Sequence, residues 1–117
     1  MKEIEDQYRE EREIGSGKIL SVCKYTKDHE KDGIGFIYEE DHLSGMVEFD
    51  KNKVSKTIKT FKGTEMTELN ENDDTLYIGG YIDNRKKQYL RNGEGKEYHE
   101  GSIMQIILIS HHYHLSS

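Results

Sequence analysis

The chain of 117 residues contains no proline, no tryptophan and no alanine, and its one cysteine is Cys23. Because alanine is the best helix former, its absence argues against a helical bundle. A single cysteine cannot form an internal disulfide, so we expect a reducing compartment. The first residues, Met1–Asp6, are mostly acidic, and for that reason no secretory signal is expected.

Apolar residues are also scarce. They make up 32% of the chain, below the roughly 45–50% of ordinary globular domains, which favours a thin layer of structure over a thick core. The longest apolar run, 103–110, is interrupted by Gln105 and is far shorter than the ~20 residues of a membrane-spanning helix. The formal net charge of −6 argues against nucleic acid as a partner, because nucleic-acid-binding domains have a basic surplus.

From residue 14 onward, short β-type runs alternate with turn signals, and the eleven glycines and eight tyrosines suit strands and tight turns. The predicted strands are 19–26, 34–38, 46–49, 57–61, 65–69, 76–82, 88–90, 95–98 and 102–110. The predicted turns are 31–33, 50–52, 70–73, 83–84 and 92–93. Links of hairpin length predict an all-β antiparallel meander, because parallel pairing needs longer crossovers. We expect residues 1–13 to form a charged arm or short helix, and 14–117 to form a single domain.

One hairpin can be predicted in register. With Gly63-Thr64 as a type II′ turn, Lys62 faces Glu65 and Phe61 faces Met66. Further out the predicted pairs are Thr60 with Thr67, Lys59 with Glu68, Ile58 with Leu69 and Lys56 with Glu71. Every pair is complementary, and a slip of one residue would spoil all of them.

The sequence also contains an internal recurrence. Gly33-Ile34-Gly35-Phe36-Ile37-Tyr38 returns sixty residues later as Gly93-Glu94-Gly95-Lys96-Glu97-Tyr98. A Gly-x-Gly pattern within a strand is typical of a place where backbones crowd each other or where an aromatic ring from the next hairpin covers the glycine. The chain is therefore predicted to repeat a strand–turn–strand unit with insertions.

These residues resemble a MORN repeat (membrane occupation and recognition nexus). The pattern opens with Tyr77-Ile78-Gly79-Gly80-Tyr81 and continues with 92–101, which holds Gly-x-Gly, a later aromatic and a glycine. The departures are the insertion 85–90, Glu65 in place of a glycine, and Met46-Val47 in place of an opening motif. The resemblance implies stacked β-hairpins that act as a cytoplasmic scaffold or interaction module, in some cases at the cytoskeleton or at phospholipid membranes. It makes the following positions structural: Gly33, Gly35, Tyr38, Tyr77, Gly79, Tyr81, Gly93, Gly95, Tyr98 and Gly101.

Two basic segments are candidate contacts for an anionic lipid surface. Arg85, Lys86, Lys87 and Arg91 form a cluster without obvious acidic partners. Lys51, Lys53, Lys56, Lys59 and Lys62 form a second stretch, in which three lysines are matched by the glutamates of the predicted hairpin. Each lysine near such a surface contributes about 1 kcal/mol, so the unmatched cluster is the better candidate.

The apolar strand near the C-terminus is a candidate protein interface. Exposed at a sheet edge, it would invite pairing with another chain, through Ile103, Ile107 and Ile109. An ordinary terminal strand covered by Tyr113 and Leu115 is the alternative. If the strand does pair with another chain, that chain is either a protein partner or a second copy of this one.

Signals of catalysis are weak. Ile14-Gly15-Ser16-Gly17-Lys18 lacks the first glycine and the Ser or Thr of a phosphate-binding loop, so it is predicted to be a turn. His111, His112 and His114 favour adventitious metal affinity over a built site. The sequence thus predicts a non-enzymatic interaction module without a cofactor. A peripheral adaptor for anionic phospholipid is the first alternative, and a small enzyme or metal protein is the second.

Overall fold

The computed structural model describes residues 8–83, 88–99 and 102–109. This part of the chain contains β-strands and no helix. The nine strands are β1 (Arg9–Arg12), β2 (Ile19–Tyr25), β3 (Lys31–Glu39), β4 (His42–Asp50), β5 (Lys53–Lys62), β6 (Glu65–Leu69), β7 (Thr75–Ile82), β8 (Leu90–His99) and β9 (Ser102–Ile109). The predicted all-β antiparallel meander of hairpins is confirmed.

The chain divides into two compact units, Met1–Thr60 and Phe61–Ser117. In the first unit, each strand from β1 to β4 pairs antiparallel with the next strand along the chain. In the second unit, β6 pairs with β7, β7 with β8 and β8 with β9, all antiparallel. Each pairing contains at least one irregularity of register, so glycines and extra residues bend these strands repeatedly.

Of the two alternatives for the N-terminal segment, a charged arm or a short helix, the helix is wrong for residues 9–12. They form strand β1, because β2 supplies ladder partners, with Glu10 opposite Val22. Two predictions about turns and strands were also wrong. The predicted turns at 31–33 and 92–93 lie inside β3 and β8, where Gly33 and Gly93 have φ values of 81° and 85° at register irregularities. In consequence, the predicted strand 95–98 is part of the longer β8. Turn residues in a bulge and in a hairpin look alike in sequence, since both positions need positive φ.

The hairpin between β5 and β6 has the predicted turn. β5 ends at Lys62 and β6 begins at Glu65. Gly63 has a positive φ of 63°, and the φ of Thr64 is not positive. This pattern is that of a type II′ turn, with glycine first. The cross-strand pairs predicted for the hairpin stay a prediction.

Small cores lie in each unit. In the first, Cys23, Val47 and Phe49 form a buried cluster flanked by Tyr25 and Ile37. In the second, Tyr77 and Met66 are fully buried, and Phe61 and Tyr89 are nearly so. Burial of each such side chain contributes about 1.5–3 kcal/mol, so a handful of residues dominates the stability of each unit.

Candidate functional site

Tyr77 lies across two glycines in the second unit. A Cβ atom added at Gly95 would lie 2.4 Å from Cε1 of Tyr77, and one added at Gly79 would lie 2.5 Å from the Gly95 Cα atom. The phenol hydroxyl of Tyr77 donates a hydrogen bond of 2.8 Å to the Gly80 carbonyl oxygen. The expected backbone crowding is therefore found here. An aromatic ring also covers Gly95, but it comes from the preceding strand β7 and not from the next hairpin.

Arg91 also lies over this ring. Its guanidinium carbon is 4.4 Å from the ring centroid of Tyr77. Two of its nitrogens donate to the two carboxylate oxygens of Glu68, at 3.0 and 2.9 Å, and a third donates to Glu97 at 2.7 Å. Gln105 donates a further hydrogen bond to Glu97. These residues form an arrangement of glycine, aromatic ring, cation and carboxylates that we call the Tyr77 stack. Its members are Gly79, Gly95, Tyr77, Arg91, Glu68 and Glu97.

The first unit contains a comparable arrangement, which we call the Phe49 stack. Its members are Gly35, Cys23, Phe49, Lys31 and Glu11. A Cβ atom at Gly35 would lie 2.6 Å from the Cβ of Cys23 and 2.9 Å from the ring of Phe49. The Lys31 ammonium lies 5.5 Å from the centroid of that ring and 2.6 Å from a Glu11 carboxylate oxygen. Phe49 comes from the strand after its glycine strand, whereas Tyr77 comes from the strand before it. The sixty-residue recurrence in sequence therefore corresponds to a recurrence of packing chemistry.

The ionisable groups of both stacks are shifted in ways that favour the ion pairs. The hydrogen bond from Lys31 lowers the pKa of Glu11, and Gln105 and Arg91 lower the pKa of Glu97. The hydrogen bond to Glu68 raises the pKa of Arg91. Desolvation raises the pKa of the Tyr77 phenol and of the Cys23 thiol. The shifts of Glu11, Glu97 and Arg91 favour the charged forms of the ion-pair members, and those of Tyr77 and Cys23 favour the neutral forms of the two buried groups.

The opposite side of β7–β9 is the open face, defined here by Ile78, Glu94, Lys96, Tyr98, Ile103, Ile106 and Leu108. Ile78, Lys96 and Ile106 are neighbours across the three strands, and Glu94 lies opposite Leu108. Ile106 and Leu108 are 63% and 78% exposed. A shallow depression on this face is lined by Ile78, Lys96, Tyr98 and Ile106, among others. Large apolar side chains of β9 therefore remain in water on this face, and Ile78 of β7 is partly exposed.

A row of lysines lies on one side of β5 in the first unit. Lys59, Lys56 and Lys53 are the cross-strand partners of Met46, Glu48 and Asp50, which share one side of β4. In a regular strand, lysines three residues apart would lie on alternate sides of the sheet. Here the pairing of β5 with β4 shifts register twice between Lys53 and Lys59. The two bulges thereby align the lysines. Glu48 and Asp50 lie opposite two of them and offset part of the positive charge.

The predicted site residues lie in different parts of the structure, and some of them lie outside the described residues. Arg85, Lys86 and Lys87 lie outside the described residues, as do Gly101, His111, His112 and His114. Arg91, expected to lack obvious acidic partners, is held by two glutamates, because the bulge at Gly93 brings it beside Glu68 on β6 and Glu97 on its own strand. Of the three predicted interface isoleucines, Ile103 lies opposite Tyr98 on the open face. Ile107 and Ile109 lie opposite Gly95 and Gly93, on the side of the Tyr77 stack.

Sequence reasoning missed most of the open face. The sequence assigns Ile78 and Leu108 to strands without indicating a side, since bulges interrupt the period of two. The sequence also does not predict that the Met104 side chain is 63% exposed. Met104 is the extra residue of a bulge in β9, between the cross-strand pairs Tyr98–Ile103 and Glu97–Gln105. Alternating apolar residues at 104, 106 and 108 were the available signal for an apolar side of β9.

Other kinds of site are not found among the described residues. They contain no group of three or more histidine, cysteine, aspartate or glutamate side chains that could hold a metal ion. Nor does this part of the chain contain a helix with the length and apolar composition to cross a membrane. Comparison of the chain with family models, curated proteins and solved structures found no match.

Proposed function

We propose that this chain is a non-enzymatic, MORN-like β-hairpin module that binds a protein partner through the open face of β7–β9, as a small subunit of a larger assembly. The exposure of Ile106 and Leu108 on β9, with Ile78 on β7 across Lys96 from Ile106, is the observation that supports this function. Burying two such side chains contributes about 1–2 kcal/mol each, which is enough to drive association when the surrounding contacts fit.

The MORN-like assignment is part of the same proposal. It is supported by Gly33-x-Gly35 and Gly93-x-Gly95, in which the first glycine has positive φ and the second is buried against an aromatic ring. Two occurrences of one local geometry at corresponding sequence positions favour a repeated unit over coincidence. On this proposal the stacks are structural, and the open face does the binding.

The double variant Ile106→Lys/Leu108→Lys tests the proposed function. Both side chains are exposed, so the variant should keep the β-sheet circular dichroism of the wild type. Proteins retained from a lysate by the immobilised chain, quantified by mass spectrometry, should include a set lost at least about tenfold with this variant. The matched control is Leu20→Lys/Val54→Lys, which alters two exposed apolar residues of the first unit. Equal retention by all three proteins would overturn the proposal.

The lysine row supports a second function, that of a peripheral adaptor for anionic phospholipid. Lys53 and Lys56 form no hydrogen bond or ion pair with the described residues, and they lie on one side of β5. Co-sedimentation with phosphatidylcholine vesicles, with and without phosphatidylserine, tests this function. Lys53→Glu/Lys56→Glu should weaken binding to the anionic vesicles by roughly tenfold or more, and added salt should do the same. Lys27→Glu, a change in an exposed turn, is the control. Binding that needs no phosphatidylserine, or that survives the double change, would eliminate this function.

A further inference from the structure

The open face contains one acid and one base at its centre. Glu94 and Lys96 are exposed, point to the same side of β8, and flank Gly95. Neither forms an ion pair with the described residues. Apolar side chains of β7 and β9 lie on either side of this pair. A partner must therefore cover apolar strips and also meet a negative and a positive charge two residues apart on one strand.

We propose that the partner on the open face is a second copy of this chain, packed face to face about a two-fold axis near Gly95. The proposal rests on the proposed function, since it uses the same face. With the axis across the strands, β8 of one copy runs antiparallel over β8 of the other. Lys96 then meets Glu94 of the partner subunit, and Glu94 meets Lys96 of the partner subunit. The face is thus complementary in charge to itself.

The alternative axis, along β8, is excluded by charge. It would place Glu94 against Glu94 of the partner subunit and Lys96 against Lys96 of the partner subunit, and like charges in an interface disfavour association. The axis across the strands also brings Ile106 over Leu108 of the partner subunit, because Ile106 and Lys96 are neighbours, as are Leu108 and Glu94. One symmetry operation therefore matches both the charges and the apolar strip of β9.

The size of the face predicts the strength of the dimer. Three strands of about eight residues cover about 25 Å by 15 Å, which corresponds to roughly 750 Å² on the two copies together. This area is below the ~1,200–2,000 Å² of stable specific interfaces and is typical of weak ones. We expect a reversible dimer that dissociates in the micromolar range, with the two sheets packed as in an aligned β-sandwich.

Charge-swap variants analysed by sedimentation equilibrium test this dimer with the full chain. Lys96→Glu alone and Glu94→Lys alone should each raise the dissociation constant at least about tenfold, because each creates two like-charge contacts per dimer. An equimolar mixture of these two variants should form a heterodimer of near wild-type affinity, since both contacts then join opposite charges. Lys27→Glu, a change in an exposed turn of the first unit, should leave the wild-type dissociation constant unchanged.

Three results would overturn the dimer. The first is a monomer at all concentrations, and the second is a dimer that neither single variant weakens. The third is a pair of weakened variants that do not rescue each other on mixing. Because all these changes are at exposed positions, circular dichroism of each sample shows directly whether its fold is retained. A monomeric chain whose lysate partners still depend on Ile106 and Leu108 would retain the proposed function while eliminating the second copy as its partner.

Discussion

The ring of Tyr77 lies so close to the backbone of Gly95 that a Cβ atom at residue 95 would fall within 2.4–2.6 Å of three ring atoms, counting the phenol oxygen. One glycine on β8 thereby permits a fully buried aromatic side chain on β7. Since the sheet has few aliphatic residues to bury, this contact and its counterpart between Phe49 and Gly35 provide packing that a larger core would otherwise supply.

Gly95→Ala should destabilise the second unit by about 2–3 kcal/mol, because the added methyl group has no space beside Tyr77. The free energy of unfolding in urea measures the loss. Gly45→Ala is the matched control, since its Cβ atom would meet the flexible Ile37 side chain at 3.2 Å and should cost less. Equal losses at the two positions would contradict the close packing at Gly95.

Tyr77→Phe should cost about 1 kcal/mol, because it removes the hydrogen bond to the Gly80 carbonyl while it keeps the ring in place. Tyr77→Ala should cost about 3–5 kcal/mol through the cavity that it creates. Chemical denaturation of the two variants gives both numbers. If the phenylalanine variant were as unstable as the alanine variant, the ring itself would not be the main stabilising group.

Arg91→Lys should destabilise the protein by roughly 1–3 kcal/mol at neutral pH, because a lysine cannot reproduce the two parallel hydrogen bonds to Glu68 or the stacking on Tyr77. Lys24→Arg offers a control exchange of the same two residue types in the first unit. Unchanged stability of the Arg91 variant would indicate that the ion-pair network contributes nothing measurable.

Acid should destabilise the fold through Glu11 and Glu97. The pKa values of both carboxyl groups are lowered in the folded chain, so their contributions are present above the unfolded value near 4.5 and are lost as the pH falls through the lower, folded values. Thermal unfolding between pH 7 and pH 3 should show a decline that is shallower in the Glu11→Gln/Glu97→Gln variant. A decline of the same steepness in both proteins would assign the acid sensitivity to other groups.

Cys23 should be unreactive toward a thiol reagent in the native protein, because its side chain is fully buried and desolvation raises its pKa. A colorimetric titration with an aromatic disulfide reagent should detect almost no thiol before unfolding and one thiol per chain in denaturant. Rapid native reaction would show that the strands around Cys23 open readily.

The sequence by itself determined the class of fold and most strand positions. Absent alanine, frequent glycine and tyrosine, and hairpin-length links are local features that act within a few residues, and β6 was predicted to the residue. The recurrence of Gly-x-Gly likewise identified the glycines that the rings of Phe49 and Tyr77 cover.

Only the tertiary structure decided which side each residue occupies and which charges meet. Bulges at Gly33, Gly93, Met104 and within the β4–β5 pair break the period of two, and their positions depend on the neighbouring strand. For this reason Arg91 reaches Glu68, 23 positions away, and the lysines of β5 share one side. Ladder pairing joins residues that are distant in sequence, and a period read along one strand does not contain that information.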